Sequence, residues 1–500
     1  MFWRDTRRAM AVSLQNATAA LIALAALVYA FDMHNAFLHQ AQISFTSQEI
    51  GEQWDDLRHL GGNSPWIRKT RGVLNDTAAE LPAGCIVDQV HMMSRHGERY
   101  PTYATGEKML ELYQRLQHTN LTFNGSLAFV DQWDFFAPHP NDQLEQLTAT
   151  GQYAGTLQSV SAGTRLRTKY ERLLERALAQ NQTSFWSCSC KRVSDTARLF
   201  ATGFFGIDWE QSATHHVVPE TRDRGANTLT PGRACPNYAT DPLGHSFGVK
   251  NFMQFRSTYL ADISTRLKKQ NAGIVFSDVE IYSMQEMCGF ETLAKGHSSW
   301  CDVFTREEIL SFEYARDVLH YYRAGPGNRY GASMGWLWLN ATAELLRQGP
   351  EAGPLFLSFN HDGDIIAMLA AFDLFQQQPH LPTTQVPQNR TWWTSDVMPM
   401  GARFVLERFS CPAPQVCWDN REYGYPNHVY CEPPTSDVFV RVNINEGIVP
   451  IPGCDDGPAG SCSLESFSER IKKRGEELES YASICGLADD VPTSLEFLQQ

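Results

Sequence analysis

The chain has 500 residues, 43% hydrophobic and 20% charged with ordinary glycine and proline content, a composition that supports a globular fold and excludes long disordered or low-complexity tracts. Its length exceeds what one hydrophobic core usually serves, so two domains or one large domain with an insertion are expected. The formal net charge of −14 argues against a nucleic-acid partner, which needs a basic face, and an acidic surface suits a protein working at low pH.

The chain opens with three arginines (Arg4, Arg7, Arg8), then runs without charge from Ala9 to Phe31. Residues 1–31 therefore read as a secretory signal peptide, with Val28 and Ala30 suited to cleavage after Ala30. An uncharged run of 23 residues also approaches the ~20 that span a bilayer, so an uncleaved signal anchor is the alternative. Either way the remainder enters the secretory pathway. Outside residues 1–31, six glycosylation sequons agree with that route, at Asn75, Asn120, Asn124, Asn181, Asn340 and Asn389. Twelve cysteines without a repeated C-x-x-C pair favour disulfides over zinc.

Residues 51–81, with "LGGNSPW", are expected to wrap irregularly around the fold. "CIVDQVHMMS", ending before Arg95, predicts a buried strand, and residues 142–178 predict helix. Thr305 and Glu308 form a capping-box signature ahead of a helix over 306–322, and another helix is expected over 334–347. "GPLFLSFN" (353–360) predicts a second buried strand, with "ARFVLERF" and "VFVRVNIN" as later ones. Alternating strands and helices predict an α/β layer with parallel strands. Residues 208–328, with few strand signals, are expected to form an inserted, mostly helical cap domain, leaving 32–207 and 329–500 as the α/β domain.

Ligands of open α/β sheets bind beyond the carboxyl ends of the strands, where "RHGERYP" lies. There Arg95 and Arg99 flank His96, and two guanidinium forks around one imidazole make a receptor for a tetrahedral oxyanion. "FLSFNHDGDI" puts His361 and Asp362 beyond the second buried strand, and Arg198 in "CKRVSDTARLFATGFFG" is read as a further guanidinium. Together these make a phosphoryl-transfer site. His96 would be the nucleophile, Arg95, Arg99, Arg198 and His361 would hold phosphate oxygens, and Asp362 would protonate the leaving oxygen and then activate water. The arginines supply the charge a metal often does, so no metal or other cofactor is required. Asp364 is read as an acid at the start of the next helix rather than a competing proton donor. His215 and His216 are read as a loop pair, because Glu220 follows Pro219 and cannot share a helical face with them.

"RHGERYPT" with a distant "HD" resembles the histidine acid phosphatase family, a branch of the histidine phosphatase superfamily that includes fungal phytases. "SDTARLFATGFFG", "TSDVMPMGARFVLERFSC" and "VRVNINEGIVPIPGC" resemble secreted yeast-type acid phosphatases, extending the likeness over most of residues 55–486. The resemblance implies a phosphoglycerate mutase-like α/β sheet flanked by helices with a helical cap, the roles given above, and a frequent tendency to oligomerise. It also implies disulfides Cys85–Cys411, Cys235–Cys485, Cys288–Cys301 and Cys454–Cys462. Cys417 and Cys431 could close a fifth. Cys188 and Cys190 depart from the pattern and are open to a strained mutual bond, intermolecular bonding or free thiols. Gly363 also departs, standing where Thr or Asn is common. The function expected is a secreted, periplasmic or cell-wall acid phosphatase, or a membrane-anchored one, acting on phosphate monoesters through phosphohistidine. The rivals are a phytase and, from another class, a non-catalytic phosphate-binding cell-wall glycoprotein, which loss of His96 or Asp362 would have favoured.

Overall fold

The computed structural model describes residues 54–377, 379–413, 417–419, 429–431 and 435–500. Residues 1–31, read above as a signal peptide or signal anchor, lie outside them. No helix among the described residues is long and apolar enough to cross a membrane.

The centre is β1 (Ile86–Arg95), joined parallel to β4 (Leu355–Asn360). β4 pairs with β2 (Ser184–Cys188), and β2 with β3 (Thr214–Val218), both parallel. Every residue of β4 is buried, as an interior parallel strand covered on both faces requires. On the other side of β1 the sheet turns antiparallel through β5 (Arg403–Pro412) and β8 (Ser436–Ile444), with β9 (Gly447–Val449) and β10 (Cys462–Ser463) pairing to β8, while β6 (Cys417–Asp419) and β7 (Val429–Cys431) pair with each other in a separate sheet. The sheet is therefore mixed, because β5 needs no crossover helix to return alongside β1.

Numbering only the longer helices, α1 spans Tyr103–Gln117, α2 Gly155–Lys169, α3 Glu171–Gln180 and α4 Lys191–Phe204. α5 to α8 follow at His245–Arg256, Leu260–Gln270, Asp278–Lys295 and Arg306–Arg323. The set ends with α9 (Gly331–Gln348), α10 (Asp362–Ala371) and α11 (Leu464–Glu477). The capping box at Thr305 and Glu308 starts α8. α2 and α4 approach so closely that a side chain at Gly163 would meet the Phe200 carbonyl at 2.2 Å, and one at Gly203 the Val160 carbonyl at 2.1 Å. Glycine permits that contact.

Three local expectations are corrected. The helix over 142–178 is interrupted, because Glu145, Gln146 and Thr148 give their backbone groups to Pro101, Tyr100 and Glu98 instead of to a helical ladder. The range 208–328, expected to form a mostly helical insertion, gives Thr214–Val218 to the main sheet as an edge strand, and α1, outside that range, packs against α7 within it. His215 and His216 accordingly lie on a strand rather than a loop, His215 stacking on Phe185 with centroids 4.7 Å apart.

Five disulfides join Cys85–Cys411, Cys235–Cys485, Cys288–Cys301, Cys417–Cys431 and Cys454–Cys462. Cys188 and Cys190 are free thiols. All six sequon asparagines are exposed.

Candidate active site

Strand register builds the site. Arg95 is the Cα partner of Asn360, and the His96 N–H donates to the Asn360 carbonyl at 3.1 Å, so the "RHG" and "HD" segments leave neighbouring strands side by side. The Gly97 N–H donates to Thr196 Oγ1 of α4 at 2.9 Å, fixing the turn. α2 begins with Gly155 where it passes this turn; a side chain there would sit 1.9 Å from the Glu98 carbonyl oxygen.

His96 is 2% exposed and its Nδ1 lies 2.9 Å from the Gly97 carbonyl. A carbonyl only accepts, so Nδ1 carries the hydrogen and Nε2 keeps a free lone pair. Burial first, then Arg95, Arg99, Arg192 and His361, holds the imidazole well below its ordinary pKa. A neutral imidazole with its lone pair free is a competent nucleophile.

Arg95 is rigid. Its Nη1 donates to the carbonyls of Gly62 and Met398, both at 2.7 Å, and its Nη2 to Asp362 Oδ2 at 3.1 Å. Arg99 donates to the Tyr100 carbonyl at 2.8 Å and lies 5.7 Å from the Phe290 ring of α7. Burial, with Arg192 and Arg95 beside it, pushes Arg99 down to about 9. Arg192 and Arg95 add to the burial that depresses Arg99 because the site holds too few anions, and an entering phosphate would relieve that repulsion.

Asp362 opens α10, its side chain 18% exposed. Burial raises its pKa, but Arg95, His320, Arg323 and His96 together outweigh burial and hold it well below the usual carboxylate range. Asp364 lies in the same first turn, where burial beside Glu220 and Asp362 pushes its carboxyl well above the usual carboxylate range. His361 faces His96 edge-on at 6.0 Å, its Nδ1 3.5 Å from Arg192 Nη2 and its Nε2 3.3 Å from Glu220 Oε1.

The third guanidinium is Arg192, not Arg198. The Arg198 side chain is 58% exposed and its Nη2 lies 3.5 Å from Glu210 Oε1, away from the histidines. Six residues along a helix turn a side chain by about 240° and advance it by about 9 Å, so the two cannot share one pocket. Arg192 lies one turn before Thr196, on the face that meets Gly97, and is held toward Glu145 at 3.8 Å. The signal was present: Arg192, not Arg198, is the arginine just past the carboxyl end of β2, next to β4 in the sheet. His320 and Arg316 of α8, 3.2 Å apart, complete the surroundings from a segment whose sequence signalled a helix but no site chemistry.

Residues 86–444 match the model of the histidine phosphatase superfamily (branch 2). A phytase of Candida albicans is 31% identical over 462 residues, covering 91% of this chain and 92% of the relative. The constitutive acid phosphatase of Saccharomyces cerevisiae is 32% identical over 440 residues, 85% of each chain. The crystal structure of the D. castellii phytase superposes with a TM-score of 0.78 at 29% identity, covering 91% of this chain and 93% of that one. With the family pattern spanning most of its length and the paired "RHG" and "HD" segments meeting at the carboxyl ends of two central strands, the chain belongs to branch 2 of the histidine phosphatase superfamily.

Proposed function

We propose that this protein is a secreted acid phosphatase that hydrolyses phosphate monoesters through a phosphohistidine. The observation that carries the reading is a buried imidazole whose Nδ1 is locked to Gly97 and whose Nε2 is free, set among Arg95, Arg99 and Arg192. His96 Nε2 attacks phosphorus as the bond to the ester oxygen breaks. Arg95, Arg99, Arg192 and His361 hold the non-bridging oxygens, stabilising charge where it spreads in the transition state. Asp362 gives a proton to the departing oxygen and, as carboxylate, takes one from the water that cleaves the phosphorus–nitrogen bond. In the free enzyme nearby cations keep Asp362 ionised; a bound phosphate offsets those cations, and a monoanionic ester brings the proton with it. Activity is thereby favoured at acidic pH.

Five disulfides, exposed sequons and acid phosphatase relatives support an extracellular or cell-wall location, with glycans on the six asparagines. The helices of 231–323 serve as the cap that shapes substrate choice. The second reading, a phytase, is favoured by the phytases among its relatives and by Arg316 and Arg323 near Asp362, additional cations for a polyanionic substrate. Hydrolysis of p-nitrophenyl phosphate and inositol hexakisphosphate across acidic pH tests both, the rate ratio separating broad phosphatase from phytase. His96→Ala should abolish both activities; turnover surviving in that variant removes His96 as nucleophile. Folded wild-type protein that binds phosphate without hydrolysing either ester overturns the enzyme in favour of a binding protein.

A further inference from the structure

At His361 Nε2, three donors of different chemistry converge. Cys188 Sγ lies 3.5 Å from His361 Nε2, and the same nitrogen lies 3.3 Å from Glu220 Oε1. All three donor atoms fall within 4.8 Å of one another. Each comes from the carboxyl end of a different strand: Cys188 closes β2, Glu220 follows β3, and His361 follows β4, the three strands being neighbours in the sheet. The arrangement is therefore backed by backbone rather than by mobile loops.

The two spacings from His361 Nε2, to sulfur and to oxygen, are those of a metal tetrahedron. A zinc ion with a Zn–S bond of about 2.3 Å and Zn–N and Zn–O bonds of about 2.0–2.1 Å holds its sulfur and nitrogen about 3.5–3.6 Å apart, and its nitrogen and oxygen about 3.3 Å apart. Cys188 is fully buried and outside every disulfide, so its sulfur is available to an ion. Glu220 Oε1 is oriented by the Cys190 N–H at 2.9 Å. A thiolate and a carboxylate match the charge of a divalent cation, and a nitrogen, oxygen and sulfur set selects zinc-class ions over magnesium or calcium.

We propose that Cys188, Glu220 and His361 form a binding site for one zinc-class divalent cation, and that its occupation inhibits the enzyme. On binding, the thiol proton leaves to solvent and the Nε2 proton that His361 gives to Glu220 moves to Nδ1, displacing the Arg192 contact there, so that the sulfur, carboxylate oxygen and Nε2 each donate a lone pair to the ion with no change of oxidation state. His361 is then fixed to the metal and withdrawn from the phosphate. The inhibitory half rests on the function proposed above; the binding half does not.

The test uses the full chain stripped with a chelator and then dialysed. Zinc titration by calorimetry should give one equivalent, and cobalt(II) should give a thiolate-to-metal charge-transfer band. Cys188→Ser should lose the band and bind zinc at least about tenfold more weakly, with its metal-free turnover unchanged. Glu220→Gln, which keeps the thiol, should retain the band but weaken binding, and guards against a folding defect in the serine variant. Absence of stoichiometric zinc binding, or equal affinity in Cys188→Ser, overturns the site. Zinc should inhibit wild-type hydrolysis and spare Cys188→Ser, whereas magnesium should do neither; zinc bound without inhibition overturns the inhibitory role. Wild-type protein that binds zinc but hydrolyses nothing refutes the proposed function and leaves the metal site standing.

Discussion

His91 and His96 stand five residues apart at the middle and the end of one strand segment, both buried and both kept uncharged, yet only one can do chemistry. His91 stacks on Phe356 with centroids 4.4 Å apart, and neither ring nitrogen has a hydrogen-bond partner. Burial alone pushes its pKa down to about 3. At His96 burial is joined by three guanidiniums, and a carbonyl fixes the tautomer. A low imidazole pKa thus marks burial as readily as function. What separates the two is the strand end, where backbone pairing stops, polar groups converge and a substrate can enter.

The largest effect expected from breaking this comparison is on turnover. His96→Ala should lower kcat by about four orders of magnitude or more, as removal of a nucleophile does, while His91→Leu should leave kcat within about twofold. Steady-state rates on p-nitrophenyl phosphate check both, and comparable losses would mean that His91 takes part in the chemistry.

Stability against pH comes next. The unfolded His91 titrates near 6.5 and the folded one near 3, so between those values the unfolded chain binds the extra proton. Its contribution is whole above pH 6.5 and is lost as pH falls toward 3, by up to about 4–5 kcal/mol. His91→Leu should remove that loss and the penalty of two unpaired ring nitrogens, giving a flatter dependence of Tm on pH below 6.5. An unchanged acid slope would place the liability elsewhere.

Arg192 and Arg198 sharpen the point on a helix. Arg192→Ala should lower kcat/KM by roughly 10²–10³, about 3–4 kcal/mol of transition-state stabilisation, and Arg198→Ala by no more than about twofold. The reverse result would restore the assignment that the motif alone suggested.

Glu98 carries the opposite sign and a smaller effect. Burial dominates the hydrogen bond from the Trp66 N–H and the pull of Arg403, raising its carboxyl from 4.5 to about 7. The folded chain then binds the extra proton between those values, so stability is present below pH 4.5 and is lost as pH rises through 7, by roughly 3 kcal/mol. Glu98→Gln should retain stability at neutral pH that the wild type loses, which denaturant titration at pH 5 and pH 7 would reveal. Protonation of Glu98 favours the folded state in the acid range, whereas protonation of His91 opposes it.

The sequence by itself determined whatever depends on short-range periodicity and local chemistry. The apolar runs of β1 and β4, the capping box before α8, and the "RHG" and "HD" segments could all be read because each signal lies within a few residues of the structure it dictates. Tertiary structure alone decided what depends on register and rotation. It chose Arg192 over Arg198 because helix α4 turns one toward Gly97 and the other toward Glu210. It broke the helix expected over 142–178 because residues 145–148 hold the motif segment by backbone pairing, and it made half the sheet antiparallel through β5. It also supplied the carbonyls of Gly62 and Met398 to Arg95 and brought Cys188 and Glu220 to His361. Hydrogen-bonding groups from tens to hundreds of residues apart carry no mark of each other in the chain; only the packing of strands against helices sets the few ångströms that make them partners.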